Sequence, residues 1–95
     1  MSTIAGIVRA GKGRAGSYNA WRCESAEFDG VTIYRLTHYG HFMLAWNKDG
    51  HGRVAILDYD TGYGTVSDQH GVNKALRALG IYDLYYSRKG GSHYV

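Results

Sequence analysis

The sequence predicts an α+β fold: an antiparallel β-sheet of four to five strands in a meander, packed on one face by a single helix in the C-terminal half, in the order β-β-β-β-α-β. Three observations predict it. Thr61–Gly80 carries helical periodicity, with Val72, Ala75, Leu76 and Leu79 at the i, i+3, i+4, i+7 spacing of one face. Before it lie short alternating runs rich in β-branched and aromatic residues, the composition of strands. Glycine-bearing turns too short for a crossover separate those runs, so neighbouring strands run antiparallel.

In chain order, residues 1–16 hold Gly6, Gly11, Gly13 and Gly16 and read as a flexible glycine-rich basic arm. Within it Ile4, Ile7 and Val8 fit a docked strand or a helical turn equally. Tyr18–Glu27 reads as the first strand, with Trp21 and Cys23 on one side. Phe28-Asp29-Gly30 is a turn with glycine placed for positive φ. Val31–Tyr39 is the second strand, ended by Gly40. In the third, Phe42, Leu44 and Trp46 alternate with His41, Met43 and Ala45. Asn47–Gly52 is a hairpin loop, and Arg53–Tyr59 a fourth strand with Val54 and Ile56 opposite Ala55, Leu57 and Tyr59. For the helix, Ser67 or Asp68 suits the free amides of the first turn and Gly80 the left-handed exit. Ile81–Ser87 is the final strand, and 89–95 a polar tail. The 95 residues make a single domain, because a second core has too little chain to bury.

Composition bounds the function. A hydrophobic content of 44% excludes wholesale disorder. Nine tyrosines against two Phe and two Trp suit half-buried or binding surfaces, since the ring is apolar and the tip polar. With fourteen glycines and no proline, the turns rest on glycine and Asx chemistry. Cys23 is the lone cysteine, which excludes an intrachain disulfide and a cysteine zinc cage. The longest apolar run, Phe42–Trp46, is far short of a membrane span, and the first residues lack the long apolar segment of a signal peptide. A soluble intracellular protein with no membrane association is expected. The net charge of +3 is unevenly spread: residues 1–22 carry Arg9, Lys12, Arg14 and Arg22 and no acid, 23–72 are acidic, and 73–95 hold Lys74, Arg77, Arg88 and Lys89 against Asp83. Brought together, the two ends make one basic patch.

Four constellations invite a chemical reading, and each has a plainer one. His38 and His41 have metal-ligand flavour with His51 or Asp49 as a third donor, but residues three apart on a strand face opposite ways. Asp58 and Asp60 pair carboxylates for acid–base work or a divalent cation; beside a glycine turn, acids more often accept turn amides. Ser67, Asp68 and His70 are hydrolase residue types crowded into one helical turn, where a triad needs the imidazole between the other two. Gly11–Ser17, with Lys12 and Arg14, is a loose phosphate-loop likeness lacking the ordered motif. No catalytic set, cofactor or metal site is expected.

The uncovered face of the sheet is the stronger clue. With one helix on one side, some of Tyr34, Tyr39, Tyr59, Tyr82, Tyr85 and Tyr86 face away from the core, and exposed aromatic clusters mark interaction surfaces. Beside Arg35, Arg53 and Arg88 they suit base stacking, a homodimer contact, or a protein partner gripped through Tyr and Arg anchors. The alternative is that the N-terminal segment lies across that face.

The run Gly62-Tyr63-Gly64-Thr65-Val66-Ser67-Asp68-Gln69-His70-Gly71-Val72-Asn73-Lys74-Ala75-Leu76, then Leu79-Gly80 and Tyr85-Tyr86-Ser87-Arg88, resembles the C-terminal half of small uncharacterised accessory proteins of tailed bacteriophages. Tyr39-Gly40 followed by Phe42–Trp46 is similar too, so the resemblance spans about residues 31–88. It carries no catalytic residues. It implies an accessory product made in the host cell cytoplasm that binds, and inhibits, a host or antiviral-defence component. The expected function is therefore a non-enzymatic binding protein; the alternative is a nucleic-acid or nucleotide-binding protein using basic termini and exposed tyrosines. The expected binding residues are Arg9, Lys12, Arg14, Tyr18, Tyr34, Arg35, Tyr85, Tyr86, Arg88 and Lys89. Expected partners are a host or defence protein, nucleic acid or nucleotide, and a second copy through the uncovered face.

Overall fold

The computed structural model describes residues 3–60, 65–87 and 91–94, and side chains only as far as Tyr85. In chain order the elements are α1 (Ile4–Ala10), β1 (Gly13–Ala15), a 3-10 turn (Ser17–Asn19), β2 (Trp21–Phe28), β3 (Val31–His38), β4 (His41–Lys48), β5 (Val54–Tyr59), α2 (Val66–Ala78), β6 (Leu84–Ser87) and β7 (Gly91–Tyr94). β1 to β5 form one antiparallel sheet in sequence order, the meander that the short loops dictate. The class is α+β, with the main helix in the C-terminal half. The last strand departs from expectation: β6 pairs antiparallel with β7 in a separate two-stranded sheet, and β7 falls in the segment read as a polar tail.

Two hairpins share one turn. Asp29-Gly30 joins Phe28 to Val31, and Tyr39-Gly40 joins His38 to His41. Their φ values, 50° and 79° in the first and 51° and 81° in the second, are those of type I′ turns, whose twist matches the flanking strands. The loop before β5 is an Asx turn: Asp49 accepts the His51 and Arg53 amides at 2.8 and 2.9 Å. Those two donors hold the Asp49 carboxyl below its usual range.

Strict alternation fails where the ladder bulges. Leu36 pairs with Leu44 but Thr37 with Phe42, which leaves Met43 as an extra residue. Phe42 therefore shares a row with Thr37 rather than a face with Leu44 and Trp46, and Met43 and Leu44 are both buried. Leu57 is extra in β5 in the same way, so Tyr59 comes into register with Leu44 and Ile56 with Trp46.

The main helix begins two or three residues earlier than its expected cap. Thr65 is the N-cap: its hydroxyl accepts the Asp68 amide at 3.0 Å, and the Asp68 carboxylate accepts the Thr65 amide at 3.2 Å, a reciprocal capping box. At the other end Gly80 has φ +80°, as its position predicts. Its amide donates to Arg77 O and the Ile81 amide to Leu76 O, closing the helix with a Schellman motif.

Residues 3–16 are not a free arm. Thr3 caps α1 by accepting the Gly6 amide at 3.0 Å, and Gly11, at φ +76°, ends it. A seven-residue helix does not persist alone. Packing holds it: Ile7 and Val8 are buried against α2, β1 and β2. The core joins Trp21, Cys23, Leu36, Leu44 and Trp46 of the sheet to Ile7 and Val8 of α1 and to Val72, Ala75 and Leu76 of α2. Both helices thus serve one face.

Where α2 crosses the sheet, Gly71 meets the Trp21 indole so closely that a Cβ there would lie 2.0 Å from Cζ2. Gly71→Ala should lower stability by about 2 kcal/mol, as overpacking does, although alanine is normally about 1 kcal/mol better than glycine within a helix. Thermal unfolding checks the sign, each kcal/mol moving Tm by roughly 4–8 °C in a domain of this size.

Candidate functional site

The face of the sheet turned away from the helices is built from the opposite strand parity. Across it Arg14 stands opposite Arg22, Arg22 opposite Thr37, and Thr37 opposite Phe42; in the next row Glu24 stands opposite Arg35. Around these residues lies a cavity of about 480 Å³, rimmed by Tyr18 in the 3-10 turn and Tyr39 in the β3–β4 turn.

Its charges are unbalanced. Glu24 bridges Arg22 Nε at 3.0 Å and Arg35 at 3.5 Å, whereas Arg14 has no ion pair among the described residues. Three guanidinium groups and one carboxylate line the cavity, and two of the three, Arg14 and Arg22, are direct cross-strand neighbours of like charge. Such opposition is unfavourable in a sheet. The Glu24 pairs are half exposed, a setting in which an ion pair is worth about 0–1 kcal/mol, so a stronger anion displaces them at little cost.

Both tyrosines sit on left-handed backbone. Tyr18 is 96% exposed with φ +57°, and Tyr39 62% exposed with φ +51°. Left-handed backbone is unfavourable for such bulky side chains by about 1–2 kcal/mol. Asn19, at φ +58°, continues the first turn, and the Tyr39 amide donates to Ala20 O at 2.7 Å, tying the two tyrosine turns together. Beneath the rim, the Tyr39 ring lies 4.6 Å from that of His38, which stacks on Trp21 at 4.1 Å. The Tyr39 side of the rim is therefore seated on the core.

Comparison of the chain with protein-family models, curated proteins and solved structures finds no match. The chemistry of the site rests on its own residues.

Of the residues expected to bind, Arg14, Tyr18 and Arg35 are brought together in this cavity. Tyr34 is not. As the neighbour of Arg35 on one strand it points the other way, stacks on Trp46 at 5.7 Å, and packs on Gly11. Tyr85 is half buried, its hydroxyl accepting from Gln69 Nε2 at 2.9 Å, so it braces α2 rather than opening to a partner. Arg9 is elsewhere too: with Lys74 and Arg77 it lines a groove of about 590 Å³ beside Ile4 and Ala78, where the N-terminal basic segment does meet the C-terminal one. Lys12 is exposed just beyond α1. The Tyr86 side chain, Arg88 and Lys89 lie outside the described residues. Arg22 and Tyr39 belong to the cavity although the binding set omitted them. Arg22 was legible by its strand parity with Glu24, and Tyr39 by the Tyr-Gly pair of a type I′ turn.

The other constellations separate. The β3–β4 turn makes His38 and His41 direct cross-strand partners, but their rings bond different carboxylates: His38 Nδ1 to Asp68 at 2.6 Å and His41 Nε2 to Asp60 at 3.2 Å. No cluster of three metal-ligating side chains occurs among the described residues. Asp58 accepts the Tyr59 amide, a turn role distinct from that of Asp60. Ser67 and His70 are exposed while Asp68 is buried, so the three do not converge. Gly11–Ser17 is a helix cap and a short strand rather than a phosphate loop, although its Arg14 reaches the cavity. Among the described residues no helix is long and apolar enough to cross a membrane. Cys23 faces the core, where burial, reinforced by Glu24, pushes its thiol up to about 11.

The native protein should therefore resist thiol-specific reagents at pH 8 and react with them only once unfolded. Because the folded thiol keeps its proton above the unfolded value of about 9, stability should fall as pH rises from 9 towards 11, which denaturant titrations at several pH values measure. Tyr39→Asn places the residue preferred at this turn position, so Tm should hold or rise by a few degrees, about 0.5–1 kcal/mol of strain being relieved.

Proposed function

We propose that this is a non-enzymatic accessory protein, of the bacteriophage kind that its C-terminal half resembles, and that it binds a component of the host cell or of its antiviral defence through the open sheet face. The observation that carries this reading is the cavity, where two tyrosines on left-handed backbone flank three arginines, two of which share the one carboxylate. Tyrosine and arginine dominate the energetics of binding surfaces. Holding them in fixed turns and strands lowers the ordering entropy that association otherwise costs. A protein that works by occupation needs such a surface and no reacting group, and inhibition follows when the occupied surface of the partner is one it needs.

The host cytoplasm, where such a product is made, is the place to test it. Tagged wild-type protein and a Tyr18→Ala/Arg35→Ala variant are recovered from host cells, and the bound proteins and nucleic acids are identified. The wild type should retain a saturable partner that the variant loses, with Tm of the two within a few degrees because both side chains are exposed. Equal capture by the variant places the contact elsewhere and overturns the proposal.

A further inference from the structure

We infer that the open sheet face binds single-stranded nucleic acid, the bases stacking on Tyr18 and Tyr39 and the phosphates seated on Arg14, Arg22 and Arg35. The inference rests on the reading of this face as the contact surface and names its ligand.

Charge points to a polyanion. Arg14 and Arg22 are placed side by side on adjacent strands, with Arg35 one row along on the next strand, so the guanidinium groups form a short track rather than a point. Neighbouring strands are about 5 Å apart and alternate residues about 7 Å apart, which spreads the track over more than one phosphate. A phosphate between Arg14 and Arg22 relieves their repulsion, and guanidinium binds it by two parallel hydrogen bonds. The same groups pair only weakly with Glu24, as half-exposed ions do, so the exchange is favourable.

The rings point to bases. Tyr18 contributes almost nothing to the fold, being 96% exposed, yet its backbone is held left-handed. Tyr39 stands where asparagine or glycine is the ordinary choice for a type I′ turn. Two bulky residues kept at unfavourable φ, joined by the Tyr39 amide to Ala20 O bond and aimed at the rim of one basic cavity, are a paired stacking platform. Stacking needs the π-face of an unpaired base, which a duplex buries, so the strand is single. An acidic peptide satisfies the arginines, whereas a nucleotide strand brings a flat partner for the tyrosines with every phosphate.

The test is fluorescence anisotropy of the full chain with labelled single-stranded RNA and DNA of about a dozen nucleotides, the matching duplex, and a mononucleotide. Three seated phosphates give a slope of about −2 in log K against log salt, roughly a twentyfold loss between about 50 and 200 mM. Arg35→Gln should flatten that slope by about 0.7. Tyr18→Ala and Tyr39→Asn should each weaken binding by about tenfold or more while leaving Tm unchanged or raised. Glu24→Gln should tighten it, and Lys74→Gln/Arg77→Gln, in the groove beside α1, should leave it within about twofold. The inference is overturned if the duplex or the mononucleotide binds as well as the strand, or if the Lys74/Arg77 variant loses binding that Tyr18→Ala keeps. Failure of every oligonucleotide, with partner capture still dependent on Tyr18 and Arg35, removes the nucleic acid and leaves the contact surface; loss of that dependence as well removes both.

Discussion

The structure depends on how α2 is fastened to the sheet at Trp21. The indole is pressed between the His38 ring, 4.1 Å away and nearly parallel at 12°, and the backbone of α2 at Gly71, where no side chain fits. His38 then donates through Nδ1 to Asp68, and the same carboxylate accepts the Thr65 amide that begins the helix. One buried acid therefore satisfies a helix end, fixes an imidazole and sets the approach of α2. A carboxylate taken out of water this completely persists only because its acceptor sites are filled, and the helix N-terminus adds a favourable dipole.

That fastening also decides where the open face ends. Gly71 brings α2 down on the β2–β3 strands from the core side, and α1 fills the adjoining space with Ile7 and Val8. Among the described residues no helix lies across the Arg22–Arg35 rows. Tyr39 follows His38 directly and begins a tight turn, so the residue that anchors the core and the residue that rims the cavity are rigidly linked. Placement of the rim is thus a consequence of core packing rather than of loop preference.

The sequence made the meander, the α+β class and the helix legible because each is a periodic signal bounded by glycine. It misled where periodicity is interrupted. A single extra residue at Met43 moved Phe42 to the open face, and another at Leu57 moved Tyr59, and bulges leave no local mark in composition. The N-terminal segment read as an arm because four glycines outweighed Ile7 and Val8, whose helical state is imposed by tertiary contact. For the site, the residue types were legible and the grouping was not. Tyr34 and Arg35 are adjacent on one strand and cannot share a face, whereas Arg14, Arg22 and Arg35 come together only once the strand register is known. The His38–Asp68 bond, thirty residues apart in the chain, has no sequence signature at all.

The two helices that close the core come from opposite sides of the meander in the chain, and this orders events during synthesis. The tight turns let β2 to β5 pair as they leave the ribosome, since hairpins with local contacts form in microseconds. Yet the buried side of that sheet, with Trp21, Leu36, Leu44 and Trp46, stays bare of α2 until Ala78 has been made. During that interval the face is uncovered, and an apolar sheet face in a crowded cell is prone to sticking. The small N-terminal helix, packed chiefly on α2, gains its main support only when α2 has been made, so the first and last parts of the core are completed together.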